Sequence, residues 1–132
     1  VTMAVVDASI LAAYYTDDPR RTAAAARLAS GGLLFAPAHL DVEVASALRG
    51  IAHANPVAAE AASEALRHLR RISIRRLAIA PLLERIWELR HNVTTYDAAY
   101  VALAERLSCP LLTCDARLAA AQGVHCDFEL IG

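Results

Sequence analysis

Four acidic residues stand where chemistry could begin: Asp7 in AVVDASIL, Glu43 in DVEVASAL, Asp97 in NVTTYDAAYVALAERL and Asp115 in PLLTCDARL. Each has an ordinary structural explanation when taken alone. Asp7 and Asp115 follow short apolar runs and precede helical patterns, where Asp caps the free amides of a helix start. Asp97 lies three residues after Thr94, the spacing of a capping box, and an acid in a first turn suits the helix dipole. Glu43 sits about 60° off the centre of the Leu40, Val44, Ala47 and Ile51 stripe, at the border of a buried face; Asp41 points about 160° away from Glu43 and is expected to be exposed.

Taken together the four acids carry a different meaning. Unpaired carboxylates gathered at one place repel one another. A hard divalent cation removes that cost: Mg²⁺ or Mn²⁺ prefers oxygen ligands, keeps several waters and accepts phosphate oxygens to complete its shell. Such an ion makes bound water more acidic and offsets charge on a phosphate undergoing attack. The chemistry therefore depends on whether four separate segments meet at one point.

The elements that would position them alternate. Residues 3–8 form a short apolar run ending in Asp7, a buried-strand signal, and 9–17 follow as a helix stopped near Asp18-Pro19. A second helix over 20–30 ends at Gly31-Gly32, and LLFAP (33–37) is another buried strand. Residues 38–54 form a helix with Leu40, Val44, Leu48 and Ile51 on one stripe, broken by Asn55-Pro56, and 57–71 form the next. ISIRRLAI (72–79) reads as a strand disturbed by Arg75 and Arg76, and Pro81 opens a helix over 81–92. After the helix holding Asp97 come a strand over 110–115, a short helix over 116–122 and a terminal strand over 125–131. This alternation predicts one α/β domain over 1–132: three layers, α/β/α, around a mainly parallel sheet of about five strands. Parallel sheets bind ligands beyond the carboxyl ends of their strands. Asp7 and Asp115 end strands there, the helix bearing Asp97 feeds the last-named strand, and Glu43 lies about one turn into the helix after the second.

Composition excludes several classes. At 57% hydrophobic and 20% charged, the 132-residue chain is globular rather than disordered. No apolar run approaches a membrane span, and no basic leader precedes the first strand, so a cytoplasmic location is expected. Three cysteines without a CxxC pair argue against a disulfide framework or a zinc site, and the five histidines lack ligand spacing and are read as surface or structural. All thirteen cationic residues are Arg, which excludes any mechanism that needs lysine. Net charge is −1, so no global basic field draws in nucleic acid.

The ordered set VVDASIL, DVEVASAL, NVTTYDAAYVALAERL and LLTCDARL resembles the PIN-domain ribonucleases, and within them the VapC-type toxins of bacterial toxin–antitoxin pairs. The resemblance spans nearly the whole chain. It implies an endoribonuclease dependent on Mg²⁺ or Mn²⁺, with Asp7, Glu43, Asp97 and Asp115 as the acidic quartet. It also implies that Ser9 and Thr113 orient those acids, that the products carry 5′-phosphate and 3′-hydroxyl ends, and that the protein is a homodimer neutralised by a cognate antitoxin. For RNA backbone contact the candidates are Arg70, Arg71, Arg75, Arg76, Arg85, Arg90 and Arg117. Tyr14, Tyr15, Trp87 and Tyr96 are candidates for base stacking, and small residues on the helices at 20–30 and 57–71 suit protein interfaces.

Two other readings compete. A receiver-like phosphoacceptor domain shares the architecture but ordinarily uses a lysine, and a DxDxT phosphatase would need Asp at position 9, where Ser9 stands. A non-catalytic interaction module on the same fold would show an amide in place of an acid, and all four positions keep their acid.

Overall fold

The computed structural model describes residues 2–132; Val1, part of the first segment and of the 1–132 domain range, lies outside the described residues. Strand β1 (Met3–Val6) is the centre of a five-stranded sheet with β2 (Leu33–Pro37), β3 (Arg75–Leu77), β4 (Leu111–Thr113) and β5 (Phe128–Leu130), in the order β3-β2-β1-β4-β5. Every pairing is parallel, so the sheet is more uniform than the expected mainly parallel one. Ala4, Val5, Val6, Leu111 and Leu112 are fully buried, as a parallel sheet covered by helices requires.

The chain runs outward from β1 to β2 and β3 on one side, then returns to build β4 and β5 on the other. The direction of winding reverses between β1 and β4. A crevice opens beyond the carboxyl ends of strands at such a reversal. Asp7 and Asp115 come directly after β1 and just beyond β4.

Seven helices connect the strands among the described residues: α1 (Ala8–Tyr15), α2 (Arg21–Ala29), α3 (Leu40–Ala54), α4 (Ala59–Arg71), α5 (Leu83–Glu88), α6 (Thr95–Leu107) and α7 (Ala116–Ala119). Single 3₁₀ turns at Pro56–Ala58 and Ala80–Leu82 lead into α4 and α5, since Pro at an early position suits a tight turn. In α6 the seven residues from Ala98 to Ala104 are all buried, because the helix packs against β1, β2 and β4 at once. Ser108 then ends it in the left-handed region at φ 52°.

Two expectations about packing need correction. Ile51, expected on the core stripe of α3, is 42% exposed; Leu40, Val44 and Leu48 are buried, while the last turns of the helix pass beyond the core towards the Pro56 turn. The strand expected over 72–79 pairs only at Arg75–Leu77, against Phe35, Ala36 and Pro37. All three cysteines are free thiols. No helix among the described residues is long and apolar enough to cross a membrane.

Candidate active site

The capping roles foreseen for three acids, or their neighbours, are realised. Asp7 Oδ1 accepts from the amides of Ser9 at 3.0 Å and Ile10 at 3.4 Å, capping α1. Asp115 Oδ1 accepts from the amides of Arg117 at 2.9 Å and Leu118 at 3.3 Å, capping α7. Thr94 caps α6 by accepting from the Asp97 amide at 3.1 Å. These bonds fix the backbone at each acid and orient the acid where it is itself the cap.

Asp7 lies deepest, 4% exposed. Ser9 Oγ donates to its Oδ1 and Thr113 Oγ1 to its Oδ2, each at 2.5 Å. Both hydroxyls are also acceptors: Ser9 Oγ from the Cys114 amide at 2.8 Å, Thr113 Oγ1 from the Asp115 amide at 3.0 Å. One network therefore joins the ends of β1 and β4 and links Asp7 to the backbone of Asp115. Burial pushes the Asp7 carboxyl up to about 6, against the lowering effect of its four donors.

Glu43 is held from two sides. The Tyr100 hydroxyl donates to its Oε1 at 2.6 Å, and His39 Nε2 lies 3.0 Å from the same oxygen. Burial raises the Glu43 carboxyl, but the bonds from His39 and Tyr100 outweigh it and hold it below the ordinary carboxylate value. Asp97 behaves oppositely. Burial raises it, the Thr94 hydroxyl offsets part of that, and the negative charges of Asp115 and Glu43 raise it further. The Tyr100 hydroxyl is raised by burial, by its bond to Glu43, and by the charges of Glu43, Asp7 and Asp97. Asp97 thus feels the charges of Asp115 and Glu43, and the Tyr100 hydroxyl feels those of Glu43, Asp7 and Asp97.

A cleft of about 530 Å³ opens over this region, lined by Asp97, Asp115, Arg90, Asn92 and Arg117 among others. Asp7 and Glu43 are not among the residues that line it. The donor set is all oxygen and carries a concentration of negative charge, which suits a hard cation. Glu43 Oε2 and Asp115 Oδ2 accept no protein hydrogen bond among the described residues, and Asp7 Oδ2, with one donor, keeps a lone pair. Among those residues no three His, Cys, Asp or Glu side chains are already close enough to enclose an ion. The fit is therefore to a cation held by one or two carboxylates and water, the usual habit of Mg²⁺.

The arginines divide. Arg90 and Arg117 line the cleft. Arg76, expected on the RNA, is instead spent inside the protein: it pairs with Asp41 at 2.8 Å and donates to the carbonyls of Leu69, Ile72 and Ile74. Asp41 is the more exposed of the two α3 acids, as expected, with its side chain 44% exposed against 29% for Glu43, though it is paired with Arg76. Arg85 is bound to Glu105 at 2.7 Å and to the Gly123 carbonyl at 2.9 Å. Arg75 lines a separate cavity with Gly32 and Leu33 at the opposite, amino-terminal edge of β2, and Arg70 lines another with Asp41 and Leu66. Arg71 is exposed. Of the aromatics, Trp87 and Tyr96 are exposed, with Arg90 stacked 4.6 Å over the Trp87 ring, whereas Tyr14 and Tyr15 pack together beside His68.

Sequence reasoning missed His39, read as structural, and the polar end of Tyr100, read as core. A hydroxyl on an apolar stripe announces burial, and a solitary histidine announces nothing without the tertiary fold.

A family model described as the PIN domain matches residues 4–124. The curated protein Ribonuclease VapC9 of Mycobacterium tuberculosis is 41% identical over 130 residues, covering 98% of each chain. The solved structure of Mycobacterium tuberculosis VapC20, a sarcin-ricin loop cleaving toxin, matches at TM-score 0.72 and 23% identity, covering 92% of this chain and 96% of that one. VapBC2 from Rickettsia felis, bound to a DNA fragment from its promoter, matches at TM-score 0.71 and 12% identity, covering 99% and 100%. At those two identities the likeness speaks for the fold alone.

Proposed function

The chain belongs to the PIN-domain family, among the VapC ribonucleases, and from that premise we propose that it is an endoribonuclease toxin hydrolysing RNA phosphodiester bonds with Mg²⁺ or Mn²⁺ held by its acids. The observation that carries this reading is the half-buried Asp97, which lines the cleft beside Asp115 and whose carboxyl is raised first by burial and then by the charges of Asp115 and Glu43. A carboxylate kept in that field is costly unless a cation joins it.

Asp7 and Asp97 would be the principal ligands, with Glu43 and Asp115 completing the site through water. A bound cation would make water acidic enough to attack phosphorus and would offset charge on the phosphate oxygens. Ser9 and Thr113 hold Asp7 in one orientation, so its buried charge is fixed before any ligand arrives. Arg90 and Arg117, on the cleft wall, bind flanking phosphates and orient the strand. Products with 5′-phosphate and 3′-hydroxyl ends follow from in-line attack by water with the 3′ oxygen leaving.

The partners are RNA in the cytoplasm, a small cognate antitoxin and a second copy of the chain. The antitoxin is what membership among the VapC ribonucleases implies. Exposed Val42 and Val57, at 71% and 88%, offer apolar surface for protein contact.

The test is cleavage of an RNA panel with Mg²⁺, Mn²⁺ or EDTA by wild type and Asp97→Asn, with the new 5′ ends mapped. Metal-dependent cutting lost in the variant supports the reading. Cutting that persists in EDTA, or that Asp97→Asn retains in full, overturns it.

A further inference from the structure

His39 precedes the first turn of α3, four residues before Glu43, and joins two helices. Its Nε2 lies 3.0 Å from Glu43 Oε1 and 3.1 Å from the carbonyl oxygen of Tyr96, in the first turn of α6. Both partners are acceptors, so Nε2 carries hydrogen and shares it between them. The ring packs against Tyr100 with centroids 4.7 Å apart, and Tyr100 donates to the same Glu43 oxygen. His39 Nδ1 is buried and has no hydrogen-bond partner among the described residues. The ring is therefore gripped through Nε2 and its face, while its other nitrogen is desolvated without return, an exception that calls for an explanation.

The position of the two acceptors supplies one. Glu43 is an acid of the quartet, and Tyr96 is the residue before another, Asp97. We propose that His39 is a positioning residue that sets the spacing between Glu43 and Asp97, and through it the affinity of the site for a divalent cation. This rests on the metal-dependent reading above. A single N–H shared by the Glu43 carboxylate and the Tyr96 carbonyl acts as a short strut between α3 and the start of α6. Tyr100 completes the hold on Oε1, so both donors engage one oxygen and Oε2 is left without a protein partner among the described residues.

The unpartnered Nδ1 makes the idea sharp. A glutamine amide can place an N–H near where Nε2 lies and has no counterpart to Nδ1, whose loss removes no bond. His39→Gln should therefore keep the strut, whereas His39→Ala should lose it. The experiment is direct Mn²⁺ binding to the purified full chain, by electron paramagnetic resonance of free Mn²⁺, for wild type, His39→Ala, His39→Gln and Asp97→Asn, with melting curves confirming folding.

The expected result is Mn²⁺ affinity about tenfold weaker in His39→Ala and restored to near wild type in His39→Gln. Wild-type affinity in His39→Ala, or affinity equally weak in both His39 variants, overturns the proposal. Asp97→Asn separates the two readings. If it loses Mn²⁺ while His39→Ala does not, the strut fails and the metal site stands. If it binds Mn²⁺ like wild type, the metal site itself fails, and the strut with it.

Discussion

The Tyr100 hydroxyl and the Glu43 carboxylate meet across the gap between α6 and α3, 2.6 Å apart, with the hydroxyl as donor. The ring is 1% exposed, so the helix that fills the core also delivers a polar group to the site. Tyr100→Phe keeps the ring and removes only the donor. The expected outcome is a stability loss of about 2 kcal/mol, as for a hydrogen bond to a charged group, and cleavage about tenfold slower. Thermal denaturation and RNA cleavage on the same preparation check both, and unchanged cleavage would show that Glu43 does not need this donor.

Asp7 gives a pH signature in the metal-free protein. Burial pushes its carboxyl up to about 6 when folded, against the ordinary aspartate value of 3.8 when unfolded. A group that binds its proton more readily when folded stabilises the fold fully below the lower value, and that contribution disappears as pH rises through the higher one. Ligand-free stability should therefore decline between about pH 4 and pH 6 from this group, by an amount on the order of 2–3 kcal/mol. Asp7→Asn removes this part of the dependence and raises the metal-free melting temperature at pH 7.5. Denaturation curves from pH 4 to 8 in EDTA test it; a variant less stable than wild type at pH 7.5 contradicts it.

Ser9 and Thr113 act on cleavage through Asp7. Ser9→Ala and Thr113→Val each remove one hydroxyl donor to that carboxylate. Each should slow cleavage by roughly 10–100-fold while leaving RNA affinity near wild type, because neither hydroxyl lines the cleft. Single-turnover cleavage measured alongside filter binding separates the two effects.

The arginines should sort by partner. Arg76→Ala strands three carbonyls and Asp41, and should cost about 2–3 kcal/mol after allowance for the half-exposed acid. Its RNA affinity should stay unchanged. Arg90→Ala and Arg117→Ala should do the reverse, weakening RNA binding and lowering its salt dependence by about 0.7 in log–log slope per phosphate contact. Binding titrations at several salt concentrations, beside urea denaturation, distinguish these outcomes.

Much of this arrangement was legible in the amino-acid order. Fully apolar LLFAP (33–37) became β2 with the same bounds: Leu34, Ala36 and Pro37 are buried, Phe35 partly so, and only Leu33 at its start is exposed. The alternation with helices gave the parallel sheet, and the acids at strand ends and in the first turns of α3 and α6 marked the candidate site. Less visible was the partnership of each charge. Arg75 and Arg76 are adjacent in sequence, yet one is exposed on a sheet edge and the other bonds to α3 and three carbonyls. Neighbours on a strand point to opposite faces, and only tertiary contacts decide which face holds an acid. His39 was invisible for the same reason: its two partners lie on elements brought together by the fold.

Asp7 and Asp115 each serve as the N-terminal cap of a helix as well as an acid of the candidate site, and asparagine caps a helix about as well as aspartate. A single-base change in either codon can make that exchange, silencing the acid while the polypeptide still folds and still presents its outer surfaces. On the proposed function, a gene under pressure to disarm its product therefore has a short route to an inert, well-formed decoy, one that would go on occupying whatever restrains the active form.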